Sequence, residues 1–310
     1  VRQRFDGLVR NYSRQIAGGG TSVTGFVDLE AGYDDNINQA TAAGTITLPV
    51  FAFLGPATLG GAARRTESAF GQVQGGVSVQ AGLSRQTRIF ASALGFYRDN
   101  EKNDVFDQGG ITGTAGIGHT LANRDVVSLS GQVQQFWLGG SGYRASYGVI
   151  GQYTHRLAGG EGLSATLNYA RLDYRGVPLR DADRYAASIG YVGRTSYATV
   201  TGGLERTVRP AFRHYGNAFV GAQAGVEQPL HPRIAVLAGV AAEHRGYHGT
   251  DPLFLGTRSD TQIDATLGLR GILATGISIR PRVTFTQNFS NFDLYDYRRV
   301  TASLGLRAEF

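Results

Sequence analysis

The feature that most limits what this chain can fold into is an alternation of apolar and polar residues at period two. In the run 26–34, Val27, Leu29, Ala31 and Tyr33 alternate with Phe26, Asp28, Glu30, Gly32 and Asp34. In an extended strand this places the apolar set on one face and the carboxylates on the other. The pattern returns with Ala69, Val73, Val77, Val79 and Ala81 against Ser68, Gln72, Gln74, Ser78 and Gln80, and again with Ile277, Ile279, Val283 and Phe285 against Ser278, Arg280, Arg282, Thr284, Thr286 and Asn288. Applied end to end, it predicts about fourteen strands, near 23–36, 66–81, 87–98, 110–121, 126–138, 143–157, 163–174, 184–193, 197–206, 215–228, 234–245, 259–271, 276–288 and 298–310.

A soluble sandwich or solenoid would also alternate, but its apolar face would be a core rich in bulky Leu, Ile and Phe. Here charged residues make up only 17% of the chain and glycine supplies 45 residues, as suits a wall that faces lipid at every second position. The most apolar stretch, residues 46–63, is long enough for a helical span, yet Pro49, Pro56 and its glycines break any helix. A membrane protein built from this chain is therefore an all-β, antiparallel, up-and-down transmembrane β-barrel.

Connections support that fold. Short turns, near 82–86, 122–125, 158–162, 194–196, 229–233 and 272–276, alternate with longer loops near 37–65, 99–109, 139–142, 175–183, 207–214, 246–258 and 289–297. This is the asymmetry of outer-membrane barrels, and an even strand number sends both termini to the periplasm. Tyr33, Tyr97, Trp137, Tyr147, Tyr169, Tyr185 and Phe285 then form an external aromatic belt, with Tyr153, Tyr191 and Phe310 near the other interface. Pro281, inside a strand, is expected to mark a bulge.

Residues 1–20 read differently. Phe5, Leu8, Val9, Tyr12 and Ile16 recur at helical spacing before Gly18–Gly20, which predicts a short amphipathic helix, either a strap for the barrel mouth or a linker from a periplasmic domain. The domain division is 1–20 as a periplasmic helical lead and 21–310 as the barrel. The chain opens at Val1 without a basic-apolar leader and is read as a mature or truncated form.

The chemistry-bearing residues are sparse. The absence of cysteine excludes a thiolate metal site and a cysteine nucleophile. The cluster Glu243, His244 and His248 is read as a solvated loop group, so the chain is expected to be no enzyme and to take no cofactor or metal. The net charge of +6 is carried mostly by dispersed arginines without a basic run, which argues against a nucleic-acid partner.

Lumen parity instead singles out Asp28, Glu30 and Asp34 on the first strand, Arg299, Arg307 and Glu309 on the last, and Arg280 and Arg282 one strand away. Closing the barrel brings these together, as an ion-pair network zipping the seam or as a polarised wall whose polar pairing can open. The apolar external loop, with Phe51, Phe53 and Leu54, is a partner contact or folds inward to constrict the lumen.

The ending Leu304-Gly-Leu-Arg-Ala-Glu-Phe310 resembles the β-signal read by the outer-membrane assembly machinery, with Leu304, Leu306 and Phe310 as its telling residues. Gly32-Tyr-Asp-Asp-Asn-Ile-Asn38 after the first strand, with Asn291-Phe-Asp-Leu-Tyr-Asp-Tyr-Arg-Arg299 before the last, resembles the C-terminal barrel of the surface lipoprotein assembly modifier (Slam) family. The resemblance implies a Gram-negative outer-membrane factor that helps lipoproteins reach the cell surface. Its partners would be outer-membrane lipid, a surface lipoprotein or another outer-membrane protein, and the β-barrel assembly machinery during biogenesis. It also implies helical repeats ahead of the barrel, which this sequence does not contain. The competing reading is an outer-membrane pore for passive diffusion or exopolysaccharide export.

Overall fold

A computed structural model describes residues 20–157 and 159–310; the expected N-terminal helix lies outside the described residues. Fourteen long antiparallel strands close into one barrel: β1 (Ser22–Asp34), β4 (Ser68–Gly82), β5 (Thr87–Asn100), β6 (Gln108–Thr120), β7 (Val126–Leu138), β8 (Ser141–Arg156), β9 (Gly162–Tyr174), β10 (Ala182–Val192), β11 (Ser196–Thr207), β12 (Asn217–His231), β13 (Ile234–Asp251), β14 (Gly256–Ala274), β15 (Ile277–Ser290) and β16 (Tyr297–Glu309). Two short strands, β2 (Thr45–Ile46) and β3 (Ala57–Thr58), pair only with each other inside the loop after β1. Each barrel strand pairs with its sequence neighbours, and β1 and β16 close the ring through nine consecutive pairs, Phe26↔Glu309 to Asp34↔Thr301.

The alternation sorts the wall as the sequence implies. Val23, Val27, Leu29 and Tyr33 of β1 are exposed on the outer face, whereas Asp34 is buried. The seven aromatics at the long-loop end stand 36–52% exposed, and Tyr153 and Phe310 stand exposed at the short-turn end. Several carry a polar tip that finds a carboxylate: the Tyr169 hydroxyl donates to Asp183 at 2.9 Å and the Tyr153 hydroxyl to Asp125 at 2.5 Å. An apolar ring body with a wet tip is the chemistry of a bilayer interface. Among the described residues no helix is long and apolar enough to cross a membrane.

Glycine has a specific use here. The inner-face rings of Phe96 and Phe219 lie over Gly110 and Gly203 of the neighbouring strands, where an added Cβ would sit 2.5 Å from the ring in each case. Aromatic rings thus cover backbone that has no side chain of its own.

Three expectations need correction. Residues 139–142 form no long loop: Gly139 and Gly140 have φ of +55° and +73°, making a two-residue hairpin turn between Leu138 and Ser141. Residues 246–258 are mostly strand, since β13 and β14 run on to Asp251 and from Gly256. These two strands, 18 and 19 residues long, exceed the roughly 9–11 residues needed to cross a bilayer; period two fades in their tips because both faces of a projecting hairpin meet water. Finally, Pro281 makes no bulge. The β15–β16 register is unbroken across it, and β14–β15 pairing keeps the same register on both sides, from Gly268↔Arg282 to Gly271↔Ile279. The ladder omits the pairs between them, because proline has no N–H to donate.

A first prediction follows from the outer face. Val283 lies midway along β15, 49% exposed. Val283→Arg should destabilise the barrel by about 2–4 kcal/mol, read from urea unfolding in lipid vesicles; arginine at lumen-facing Thr284 should cost far less.

Candidate functional site

Inside the barrel, polarity is divided by strand. On β6 and β7 the lumen face carries uncharged groups, where the Gln132 and Gln134 amides donate to the Thr114 and Thr112 hydroxyls at 3.3 and 3.2 Å. The charges gather on the opposite arc. A lumen cavity of about 740 Å³ is lined there by Asp28, Glu30, Glu227, Arg270, Arg280 and Arg282, among others.

The eight seam charges come together in three groups. At the long-loop end Asp34, fully buried, accepts Arg299 Nε at 2.9 Å and Arg98 Nη2 at 2.6 Å, while its Oδ1 accepts the Asn36 backbone N–H at 3.0 Å. Midway, the Arg282 guanidinium reaches across β16 to donate to Glu30 at 2.7 Å. Lower, Arg307 is 2% exposed, lies 4.0 Å above the Phe26 ring, donates to Glu309 at 2.7 Å and stands 3.7 Å from Asp28. Arg280 stands 3.6 Å from Glu309 and donates to the Ser278 hydroxyl at 3.2 Å. Every cation thus faces a carboxylate, and β15, β16 and β1 are laced together by side chains as well as by backbone.

Arg98 is the member that sequence reasoning missed. It sits on β5, and β1 and β5 are separated by β4, so only the register of both pairs shows that Arg98 and Asp34 meet. Its stacking on Phe70, 3.8 Å from the ring centroid, places the guanidinium.

The C-terminal residue completes the closure. Phe310 donates its N–H to the Gly25 carbonyl at 3.0 Å and accepts the Gly25 N–H at 2.8 Å, and its ring lies so close that a Cβ on Gly25 would be 2.4 Å from it. Leu304 and Leu306 are exposed on the same lipid face.

In the loop after β1, Ile37, Ala40 and Ile46 are buried, and Asn38 ties the base together through the Ala62 and Arg64 carbonyls at 3.0 and 2.6 Å. The tip, a 3-10 turn over Pro49–Leu54, presents Phe51, Phe53 and Leu54 with exposures of 45%, 81% and 72%. None of these three residues lines the lumen cavity. The loop instead touches the β13–β14 hairpin, with Val50 N–H 3.4 Å from the Leu253 carbonyl.

Glu243 and His244 do not converge. As strand neighbours they face opposite sides: the Glu243 carboxylate pairs with Arg245 in the lumen, and His244 meets the Thr261 hydroxyl at 2.9 Å on the outer face.

At the short-turn end, the tight turn before β7 has its own anchor. Asp125 accepts hydrogen bonds from the Tyr153 hydroxyl, His155 Nδ1 at 2.9 Å and the Arg156 backbone N–H at 3.2 Å. Led by the Tyr153 and His155 hydrogen bonds, these hold its carboxyl down at about 2. A depressed carboxylate contributes stability that is complete above its unfolded value near 3.9 and is lost as pH falls toward 2. Amide exchange at Arg156 should therefore be flat from pH 7 to 5 after correction for intrinsic rate, then accelerate between about pH 4 and 2. Asp125→Asn should abolish that step.

A family model described as surface lipoprotein assembly modifier matches residues 27–310. Comparison with curated sequences gave no match. Among solved structures, the translocator domain of autotransporter NalP from Neisseria meningitidis is 11% identical, with 100% of this chain and 96% of that chain covered and a TM-score of 0.36. OccAB4 from Acinetobacter baumannii is 7% identical, with coverage of 94% and 99% and a TM-score of 0.46. OpdK from Pseudomonas aeruginosa, solved with vanillate, is 8% identical, with coverage of 93% and 99% and a TM-score of 0.47.

Proposed function

Since the chain belongs to the surface lipoprotein assembly modifier family, we propose that it is a non-enzymatic outer-membrane barrel that carries lipoproteins to, or displays them on, the surface of a Gram-negative cell. The observation that carries this reading is the family match across residues 27–310, which takes in every barrel strand but the first five residues of β1. Both termini lie in the periplasm in this reading, so the short turns are periplasmic and the long loops external. Residues 1–20 form a lead distinct from the barrel at 21–310. Leu304, Leu306 and Phe310 serve as the insertion signal for the assembly machinery, and the exposed Phe51, Phe53 and Leu54 offer a contact for the cargo at the cell surface.

The lumen supports a conduit whose charges are matched rather than a fixed-sign filter. A diffusion pore would be expected to hold a large, steady conductance; fourteen strands make a narrower ring than the 16–18 of porins. Planar-bilayer recording tests the reading: small or intermittent conductance is expected, and a large, permanently open channel favours the pore.

A further inference from the structure

We infer that the uncharged side of the lumen, on β5 to β9, binds an uncharged oligosaccharide, its rings stacked on Phe96 and Phe136 and its hydroxyls paired with the amides and hydroxyls beneath them. The site is separate from the seam charges, and it goes beyond the function above without depending on a lipoprotein cargo.

The first observation is the kind of polarity on this arc. The lumen-facing positions of β6, β7 and β9 hold no charged residue from one end of each strand to the other; they carry Thr112 and Thr114 on β6, Gln132 and Gln134 on β7, and Asn168 on β9. Each glutamine amide spends one N–H on a threonine hydroxyl of β6. An amide has two such groups, and a hydroxyl both donates and accepts. A second N–H on each amide and the threonine hydroxyl protons are therefore left for a ligand. A charged polymer would lose hydration against this wall and gain no counter-charge in return. A chain of neutral hydroxyls exchanges water for equivalent partners.

The second observation is an aromatic platform at the external end of the same arc. Gly110 of β6 is paired with Phe96 of β5 on one side and Phe136 of β7 on the other. Having no side chain, it lets the two rings meet above it, 6.5 Å apart at an interplanar angle of 38°. Tyr143 extends the platform. The β7–β8 register shifts between Phe136 and Trp137, which leaves Tyr143 out of the ladder, and its ring stands 6.0 Å from Phe136 at 80°. Bulges re-aim side chains in this way beside functional sites. Thr112 and Gln134 lie two residues nearer the short turns than Gly110 and Phe136, so the hydrogen-bonding groups begin where the rings end.

The third observation separates these rings from the other lumen aromatics. On the charged side each ring already carries a guanidinium: Arg307 lies 4.0 Å over Phe26, Arg98 3.8 Å over Phe70 and Arg184 4.4 Å over Phe219. Among the described residues no guanidinium lies over Phe96 or Phe136. A pyranose ring offers a face of C–H bonds that is weakly electropositive, and such a face suits the electron-rich face of an aromatic ring. Its hydroxyls project sideways, toward the amides. Convergent polar groups beside an aromatic surface are the general make-up of a small-ligand site.

Saturation-transfer NMR on the purified barrel in lauryldimethylamine oxide micelles, which carry no sugar headgroup, tests the site with maltohexaose, isomaltohexaose and chitohexaose as probes. At least one should show saturable transfer. Phe136→Leu and Gln134→Leu should each weaken it about tenfold, whereas Thr284→Val, on the lumen face of β15 across the barrel, should leave it unchanged. Heat-modifiable migration on gels checks that each variant is folded. Gln134→Leu leaves the rings in place and keeps the test decisive if Phe136→Leu does not fold. An acidic galacturonate hexamer and an unfolded peptide of serine and glutamine should each bind at least tenfold more weakly than the best neutral probe. Absence of transfer from all three neutral probes overturns the site, as does equal weakening by Thr284→Val. Equal binding of the galacturonate or the peptide overturns the assignment to an uncharged saccharide.

Discussion

Gly148→Ala is expected to prevent the barrel from closing. Gly148 pairs with Ala170 of β9 and Gln132 of β7, and a Cβ built on it would lie 2.0 Å from the Tyr169 carbonyl oxygen and 2.8 Å from the Ala170 Cα. Both atoms are backbone, so no rotamer change relieves the contact and the strands must move apart, breaking ladder bonds that hydrocarbon cannot replace. The cost should exceed the roughly 1–3 kcal/mol of an ordinary overpacked core. Heat-modifiable migration on gels should show little or no folded band. Gly131→Ala, where nothing lies within 4 Å of the added Cβ, should fold like the parent.

Asp34→Ala should be the second severe change. It removes the one carboxylate that Arg299 and Arg98 share, and these two side chains are only 19% and 11% exposed. Leaving buried charge uncompensated costs about 3–5 kcal/mol, whereas replacing the whole group with apolar side chains is often nearly neutral. Urea unfolding should therefore show a loss of about that size for Asp34→Ala, and most of it should return when Arg98→Met and Arg299→Met are added. A loss below about 1 kcal/mol in the single variant would mean that water or another group serves the two arginines.

The strands were legible because a lipid-facing wall imposes period two at each crossing, and β1, β4 and β16 obey it nearly residue by residue. Parity alone was enough to place Asp28, Glu30, Asp34, Arg307 and Glu309 on the lumen side. It could not supply cross-barrel meetings, which depend on register: Arg98 reaches Asp34 past an intervening strand, and Arg282 reaches Glu30 past another. Nor could it separate a missing donor from an extra residue, so Pro281 looked like a bulge where the structure has a gap in an unshifted ladder. Residues 139–142 read as a loop because the boundaries of the flanking strands are not fixed by alternation, whereas the adjacent Gly139 and Gly140, free to take positive φ, let the chain reverse in two residues. The 46–63 loop was legible as apolar but not as exposed; its exposure follows from the turn at Pro49–Leu54 and the anchoring of its base by Asn38.

The most direct test of the central claim is protease shaving of intact cells, with and without this protein, while total lipoprotein is followed on blots. The account predicts that cells lacking it keep lipoprotein in full amount but shielded, and that restoring the chain restores cleavage. Lipoproteins cleaved equally in both strains would contradict it.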